Sequence, residues 1–150
     1  MQRTLILLKP DCVQRRLIGT VIHRFEQKGL RLVALKLVAA SRDLAEKHYA
    51  VHKGKPFYES LLSFLTSGPT VALVWEGREA VAVARGLMGP TDGTKAPPAT
   101  IRGDFAISVQ NNLVHGSDSV ENANIEIALW FKPEELVSYQ PTDAAWVAGS

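Results

Sequence analysis

The sequence predicts an α+β sandwich, and three observations carry that expectation. Short runs rich in Leu, Val and Ile have strand character. Runs with apolar residues at helical spacing lie between them. Gly and Pro fall at the junctions, and no repeat, low-complexity tract or interdomain linker interrupts the chain. The resulting core order, βαββαβ, is that of a split-βαβ, ferredoxin-like fold: a four-stranded antiparallel sheet with helices packed on one face.

Each element has a local reason. Residues 4–9 read as a buried strand bounded by Pro10-Asp11. Residues 18–28 place Ile18, Val21, Ile22 and Phe25 at helical spacing, with Gly29 as the stop. Residues 30–39, rich in Leu and Val, form a second strand. Ser41 opens a short helix that runs to Tyr49, and residues 57–65 form an amphipathic helix closed by Gly68-Pro69. Residues 70–75 are a third strand, and residues 78–85 a helix ended by Gly86. Residues 89–100 contain Gly89-Pro90, Asp92-Gly93 and Pro97-Pro98, which marks a long surface loop of the kind that carries function or moves. Residues 105–109 are the expected fourth strand. Residues 119–131 form a helix with Asp118 and Glu121 at capping-box spacing and Val120, Ala123, Ile127 and Trp130 as its apolar positions. Residues 133–137 add a last helical turn, and the tail after Pro141 is small and polar apart from Trp146.

Composition bounds the function classes. A chain of 150 residues, 46% hydrophobic and 21% charged, is expected to form one domain over residues 1–150 that needs neither disulfide nor structural metal. The single cysteine, Cys12, excludes an intramolecular disulfide and points to a reducing compartment. The run Leu5-Ile6-Leu7-Leu8 is too short for a signal sequence, and nothing approaches the ~20 apolar residues of a membrane span. A cytoplasmic location is therefore expected. A net charge of +2 is well short of a nucleic-acid-coating protein.

The chain has no Walker-type loop, no G-x-G-x-x-G after the first strand and no protein-kinase signature, so any bound phosphate must be held largely by side chains. Lys9, Arg85 and Arg102 are the candidates, because each lies where an element meets a loop; singly, each also reads as a solvated surface charge. Asn112-Leu113-Val114-His115-Gly116-Ser117-Asp118-Ser119 presents one imidazole on a Gly-flanked turn before a helix start. A structural histidine is the plain reading. A Ser-His-Asp arrangement with Ser117 and Asp118 is disfavoured, since residues so close along the chain cannot spread into a triad. The sharper reading makes His115 a nucleophile, because a neutral imidazole is competent near pH 7 and a carboxylate on its second nitrogen would fix the tautomer. Glu126 is the candidate orienter, at i+7 and i+4 from Ser119 and Asn122, and a surface ion-pair role is its alternative. Tyr49 and Phe57 flank Lys53-Gly54-Lys55-Pro56, an arrangement that suits stacking on a base or ordinary helix packing.

Together with Lys9-Pro10-Asp11, Arg24-Phe25-Glu26-Gln27-Lys28-Gly29, Ser67-Gly68-Pro69, Val74-Trp75-Glu76-Gly77, Thr100-Ile101-Arg102-Gly103-Asp104-Phe105 and the stretch from Asn112 through Glu121, these residues resemble the nucleoside diphosphate kinase family over nearly the whole chain. The resemblance implies a ferredoxin-like fold and a ping-pong reaction in which a nucleoside triphosphate gives its γ-phosphate to His115, which passes it to a nucleoside diphosphate. It implies that Lys9, Tyr49, Arg85, Thr91, Arg102 and Asn112 contact phosphates or ribose, that Phe57 and Val109 sandwich the base without reading its edge, that Glu126 holds His115, and that Ser117 bonds to Glu126. It implies Mg²⁺ carried in by the nucleotide phosphates, with no protein metal cage. The chain departs from the family at Cys12 and Ala99, where Gly is usual, and at Gly93, where Pro is common. The extension past Trp130 resembles that of hexameric members, so a homo-oligomer, a hexamer by preference, is expected. The alternative from another class is a nucleotide- or nucleic-acid-binding module of the same fold with vestigial catalysis. The aromatic signature of RNA-binding sheets is missing, and nucleic acid is not a required partner.

Overall fold

The computed structural model describes residues 1–149. Its strands are β1 (Gln2–Leu8), β2 (Arg31–Val38), β3 (Thr70–Gly77) and β4 (Val114–Gly116). Its helices are α1 (Pro10–Gln14), α2 (Ile18–Lys28), α3 (Arg42–His48), α4 (Tyr58–Leu65), α5 (Ala80–Met88), α6 (Ile101–Phe105), α7 (Val120–Trp130) and α8 (Ala144–Ala148). The sheet has the order β2-β3-β1-β4, with every neighbouring pair antiparallel. This is the βαββαβ, ferredoxin-like arrangement, with β1, α2, β2, β3, α5 and β4 as its core. None of the described helices is long and apolar enough to cross a membrane.

The expectation of helices on one face describes only half of the packing. Ile6, Leu8, Val71, Leu73 and Trp75 meet Val21 and Phe25 of α2 and Ala84 and Met88 of α5. On the opposite face, Leu5, Leu7, Ala72 and Val74 meet Ala45 of α3, Leu62 and Leu65 of α4, and Ile127 and Trp130 of α7. With both faces covered, β1 carries four successive fully buried residues, Leu5 to Leu8, so its sequence is a continuous apolar run and not an alternation.

Three expected elements differ. The fourth strand is not residues 105–109 but Val114–Gly116, because Thr100 caps α6 by accepting from the Gly103 N–H at 3.0 Å and helix then runs through Phe105. Ile107 and Val109 follow in an exposed loop. The helix expected at 78–85 is α5, which continues through Gly86 to Met88 and stops at Gly89, φ 83°. One glycine does not end a helix whose later residue Met88 is buried. The N-cap of α7 is Ser119, whose Oγ accepts from the Asn122 N–H at 3.0 Å, whereas Asp118 accepts from the Asn122 side chain at 2.6 Å. Asp118 therefore does not cap the helix backbone. The Pro10–Gln14 and Ala144–Ala148 helices had no separate sequence signal.

The departures in the long loop have physical readings. Gly93 donates its N–H to the Ser108 carbonyl at 3.2 Å, and a Cβ there would lie 2.5 Å from the Ala106 oxygen, so proline would lose a hydrogen bond and collide. Ala99 adopts φ 78°, a conformation that favours glycine. It is held there by Asp104, which accepts its N–H at 3.0 Å, and by Arg24, which donates to its carbonyl at 2.9 Å. The Ala99→Gly variant is therefore expected to be more stable by about 1 kcal/mol, or ~3 °C in Tm, as measured by thermal denaturation. An unchanged or lower Tm contradicts the strain.

Candidate active site

Strand β4 is three residues long, and its pairing with β1 decides where the imidazole goes. Val114, His115 and Gly116 oppose Leu8, Leu7 and Ile6. Alternation on the pleat turns Val114 and Gly116 to the α5 side and His115, like Leu7, to the side of α3 and α7. Gly116 packs closely on the α5 side, since a Cβ there would lie 2.6 Å from the Met88 sulfur and Met88 would have to shift. His115 thus stands on a strand and not on the turn expected. The sharp bend comes just before it, at buried Leu113, whose φ is 73° and whose N–H donates to Asp11 Oδ2 at 3.0 Å.

Glu126 projects from α7 onto this imidazole. His115 Nε2 and Glu126 Oε2 are 3.0 Å apart, and a carboxylate can only accept, so Nε2 carries the proton. Nδ1 then holds the lone pair in the cleft. Burial pushes the Glu126 carboxyl up, but the hydrogen bond and charge of His115 and the Ser117 hydroxyl outweigh it and hold the group below its ordinary range. Ser117 lies behind the cleft, 1% exposed. Its Oγ donates to Glu126 Oε1 at 2.5 Å and accepts from the Leu5 N–H at 3.3 Å, which ties the carboxylate to β1.

In front of His115 is a cleft of about 760 Å³. The sequence-predicted Lys9, Tyr49, Phe57, Arg85, Thr91, Arg102, Val109, Asn112 and Glu126 all line it with His115; Ser117 alone of the predicted set does not. Lys9, at the end of β1, donates to Asn112 Oδ1 at 2.5 Å and to the Gln110 carbonyl at 3.1 Å. The Asn112 amide donates in turn to the Thr91 carbonyl at 2.9 Å, which binds the long loop to the cleft wall. Arg102 is 6% exposed and donates to the carbonyls of Asn112, Gly89 and Val114 at 3.2, 2.9 and 2.6 Å. Arg85 donates to the Gly116 carbonyl at 3.2 Å. The two arginines therefore also brace β4.

These cations are uncomfortable without an anion. Burial lowers Lys9 to about 8 against a raising effect from Asp11, and Arg102 adds to the lowering. Burial, and then the charge of Arg85, lowers Arg102 to about 10. Burial raises the Tyr49 hydroxyl to about 12, and Glu126 adds to that effect, so it remains a neutral donor. Phe57 and Val109, which also line the cleft, are 47% and 57% exposed and so offer free apolar surface.

Two lining histidines were not singled out from the sequence. His52, in the single turn Ala50–His52, stands edge-on to Phe57 at 5.3 Å between ring centroids. His48 is buried behind His115, with ring centroids 4.5 Å apart. Its spacing from Leu44 and Ala45 gave the signal: a histidine on the apolar face of a helix. His48, His115 and Glu126 bring three donor atoms within 4.8 Å. They do not suit a resident metal, because His48 Nδ1 accepts from the Trp130 indole and Glu126 is engaged by His115 and Ser117.

The family model described as nucleoside diphosphate kinase matches residues 2–136. A nucleoside diphosphate kinase of Carboxydothermus hydrogenoformans is 58% identical over 147 residues, covering 98% of this chain and 99% of the relative. One of Thermosynechococcus vestitus is 57% identical, covering 98% of each chain. The solved structure of a halophilic nucleoside diphosphate kinase from Halobacterium salinarum, in complex with CDP, superposes with a TM-score of 0.95 at 47% identity, covering 97% of each chain. Fold and relatives together define a nucleotide-dependent phosphotransferase. The chain belongs to the nucleoside diphosphate kinase family, and its activity is that of the family.

Lys9 generates a stability prediction. It stays charged up to its ordinary 10.5 in the unfolded chain but only to about 8 when folded. Unfolding therefore takes up a proton between those values, and the Lys9 contribution to stability rises with pH across that window. The Lys9→Met variant is expected to lose this rise, so its Tm advantage over the parent shrinks from pH 8 to pH 10 in thermal melts. A constant Tm difference contradicts the buried charge.

Proposed function

We propose that this phosphotransferase works by a ping-pong reaction with His115 as the phosphate carrier. One observation carries the proposal: Glu126 occupies Nε2 and leaves the Nδ1 lone pair in a cleft lined by Lys9, Arg85 and Arg102. In the first half-reaction Nδ1 attacks the γ-phosphorus of a nucleoside triphosphate. The bond from that phosphorus to the β–γ bridging oxygen breaks, and the nucleoside diphosphate leaves. Glu126 balances the positive charge that develops on the imidazole. The second half-reaction runs the same steps backwards onto another nucleoside diphosphate, so one site serves donor and acceptor in turn.

The remaining side chains have roles suited to their chemistry. Phosphoryl transfer depends on in-line positioning and on neutralising the equatorial oxygens. Lys9 and Arg85 supply charge. Arg102 uses three of its five N–H donors on backbone carbonyls and has two left for phosphate oxygens. Tyr49, Thr91 and Asn112 are donors for phosphate or ribose. Phe57 and Val109 hold a base between them by stacking and apolar contact alone, which tolerates every base. The halophilic relative solved with CDP supports a nucleotide in this cleft.

Among the described residues, the carboxylates lining the cleft are Glu126, engaged by His115, and Asp118, engaged by Asn122. That donor set fits Mg²⁺ arriving on the nucleotide phosphates and not in a protein cage. When bound, the ion supplies charge neutralisation at the phosphate oxygens.

The chain acts as one domain spanning residues 1–150, in the cytoplasm. Burial, with Asp11 adding to it, raises the Cys12 thiol to about 12, so it is an unreactive thiol in keeping with a reducing compartment. It assembles as a homo-oligomer, by preference a hexamer. The exposure of Leu35 and Leu37 on edge strand β2, and of Ile107 and Trp146 elsewhere, supports assembly.

Incubation with γ-labelled ATP and Mg²⁺ tests the carrier. Acid-labile, base-stable label is expected on the parent protein and none on His115→Ala. Glu126→Gln is expected to label on the order of 10²-fold more slowly. Label that persists in His115→Ala overturns the assignment.

A further inference from the structure

His48 ends α3 and is the most deeply buried titratable group beside the site, its side chain 1% exposed. Three aromatic rings surround it: His115 at 4.5 Å, Tyr49 at 4.7 Å and Trp130 at 5.6 Å between centroids, each edge-on. The Trp130 indole N–H donates to His48 Nδ1 at 3.1 Å. An indole nitrogen is a donor only, so Nδ1 must be the unprotonated nitrogen and the proton must sit on Nε2. Nε2 has no hydrogen-bond partner among the described residues. His48 Nδ1 lies 3.9 Å from Glu126 Oε2, the same oxygen that takes the His115 Nε2 proton at 3.0 Å.

That geometry bears on how Glu126 is shared. The opposite tautomer of His48 would put an N–H on Nδ1, 3.9 Å from Oε2, where a small turn of the ring would let it compete with His115. In the tautomer held by Trp130, Nδ1 carries only a lone pair, which accepts from the indole and offers the carboxylate no proton. We propose that Trp130 locks His48 in its Nε2–H tautomer, and that His48 is thereby a positioning residue that leaves Glu126 to His115 alone and walls the imidazole into its reactive orientation. Burial, with the neighbouring His115 adding to it, keeps the ring neutral by lowering its pKa to about 3.

His48 has this role only if His115 is the phosphate carrier, so one experiment separates the two claims. Trp130→Phe keeps an aromatic ring and removes the N–H. His48→Phe keeps a ring and removes every N–H that could compete for Glu126, and it is made alone and together with Trp130→Phe. Single-turnover labelling with γ-labelled ATP and Mg²⁺ is measured for each purified full-length variant over a range of nucleotide concentration. Nitrogen-15 NMR of histidine-labelled protein reads the tautomers. In Trp130→Phe the labelling rate at saturating nucleotide is expected to fall about tenfold or more, with the half-saturating concentration unchanged. His48→Phe, which keeps the ring and has no N–H to compete for Glu126, is expected to label at close to the parental rate, and adding it to Trp130→Phe is expected to regain most of the loss. His48 is expected as the Nε2–H tautomer in the parent, and in part as Nδ1–H in Trp130→Phe. A parental rate in Trp130→Phe overturns the proposal, as does a double variant no faster than Trp130→Phe, or a parental Nδ1–H tautomer. If Trp130→Phe does not fold, the rate of His48→Phe and the parental tautomer decide the matter, and a tenfold loss in His48→Phe overturns the proposal. A parent that takes no label at His115 refutes the carrier assignment, whereas a labelled parent with an unaffected Trp130→Phe refutes only the role of His48.

Discussion

His115 is held at two points, and the site depends on both. Its backbone is fixed by the pairing of β4 with β1, which sets it opposite Leu7, and its ring is fixed by Glu126 on Nε2. The first constraint decides which face of the sheet the imidazole occupies, because a one-residue slip would send it to the α5 side. The second decides which nitrogen is free. A strand of three residues at a sheet edge is a weak anchor by itself. The Val114 and Gly116 carbonyls accept from Arg102 and Arg85, so the same cations that face the cleft hold the strand that carries the histidine. Ser117 closes the frame by joining the Glu126 carboxylate to the Leu5 backbone on β1.

Electrostatics explains why such an arrangement suits a polyphosphate. Lys9 and Arg102 are partly desolvated, Arg102 lies near both Lys9 and Arg85, and burial is the main reason that both hold their protons less tightly than usual. Groups placed this way disfavour their own charge until an anion arrives, and in a low-dielectric cleft they act on that anion strongly. Neutral Tyr49 and neutral His48 contribute no competing charge beside the imidazole. Glu126 remains the anion that faces it.

Much of this was legible in the sequence. The apolar runs, the Gly and Pro boundaries and the helical spacing of α2 and α7 are local signals, and they led to the βαββαβ order. Lys9, Arg85 and Arg102 were legible as candidates because they fall where elements meet loops, and Glu126 because it shares a helix face with Ser119 and Asn122, but it was the resemblance to the family that joined them to His115 as one set. The fourth strand was not legible. Residues 105–109 have the better β pattern, but the Thr100 cap makes their start helical, and β4 exists through its pairing with β1 and the bend at Leu113. The second helical layer was signalled only by the continuous apolar run of β1, which says that both faces are covered but not by which helices. His48 was missed because a histidine on an apolar helix face looks like core until its partners, Trp130 and His115, are brought to it by the fold.

The central claim is that Glu126 on Nε2 leaves Nδ1 to take the phosphate. The most direct measurement is the position of the phosphoryl group on the imidazole, read by phosphorus NMR of the isolated phosphoenzyme and by chromatography of phosphohistidine after alkaline hydrolysis. The account predicts phosphorylation of His115 at Nδ1. Phosphate on Nε2 of that ring would contradict it.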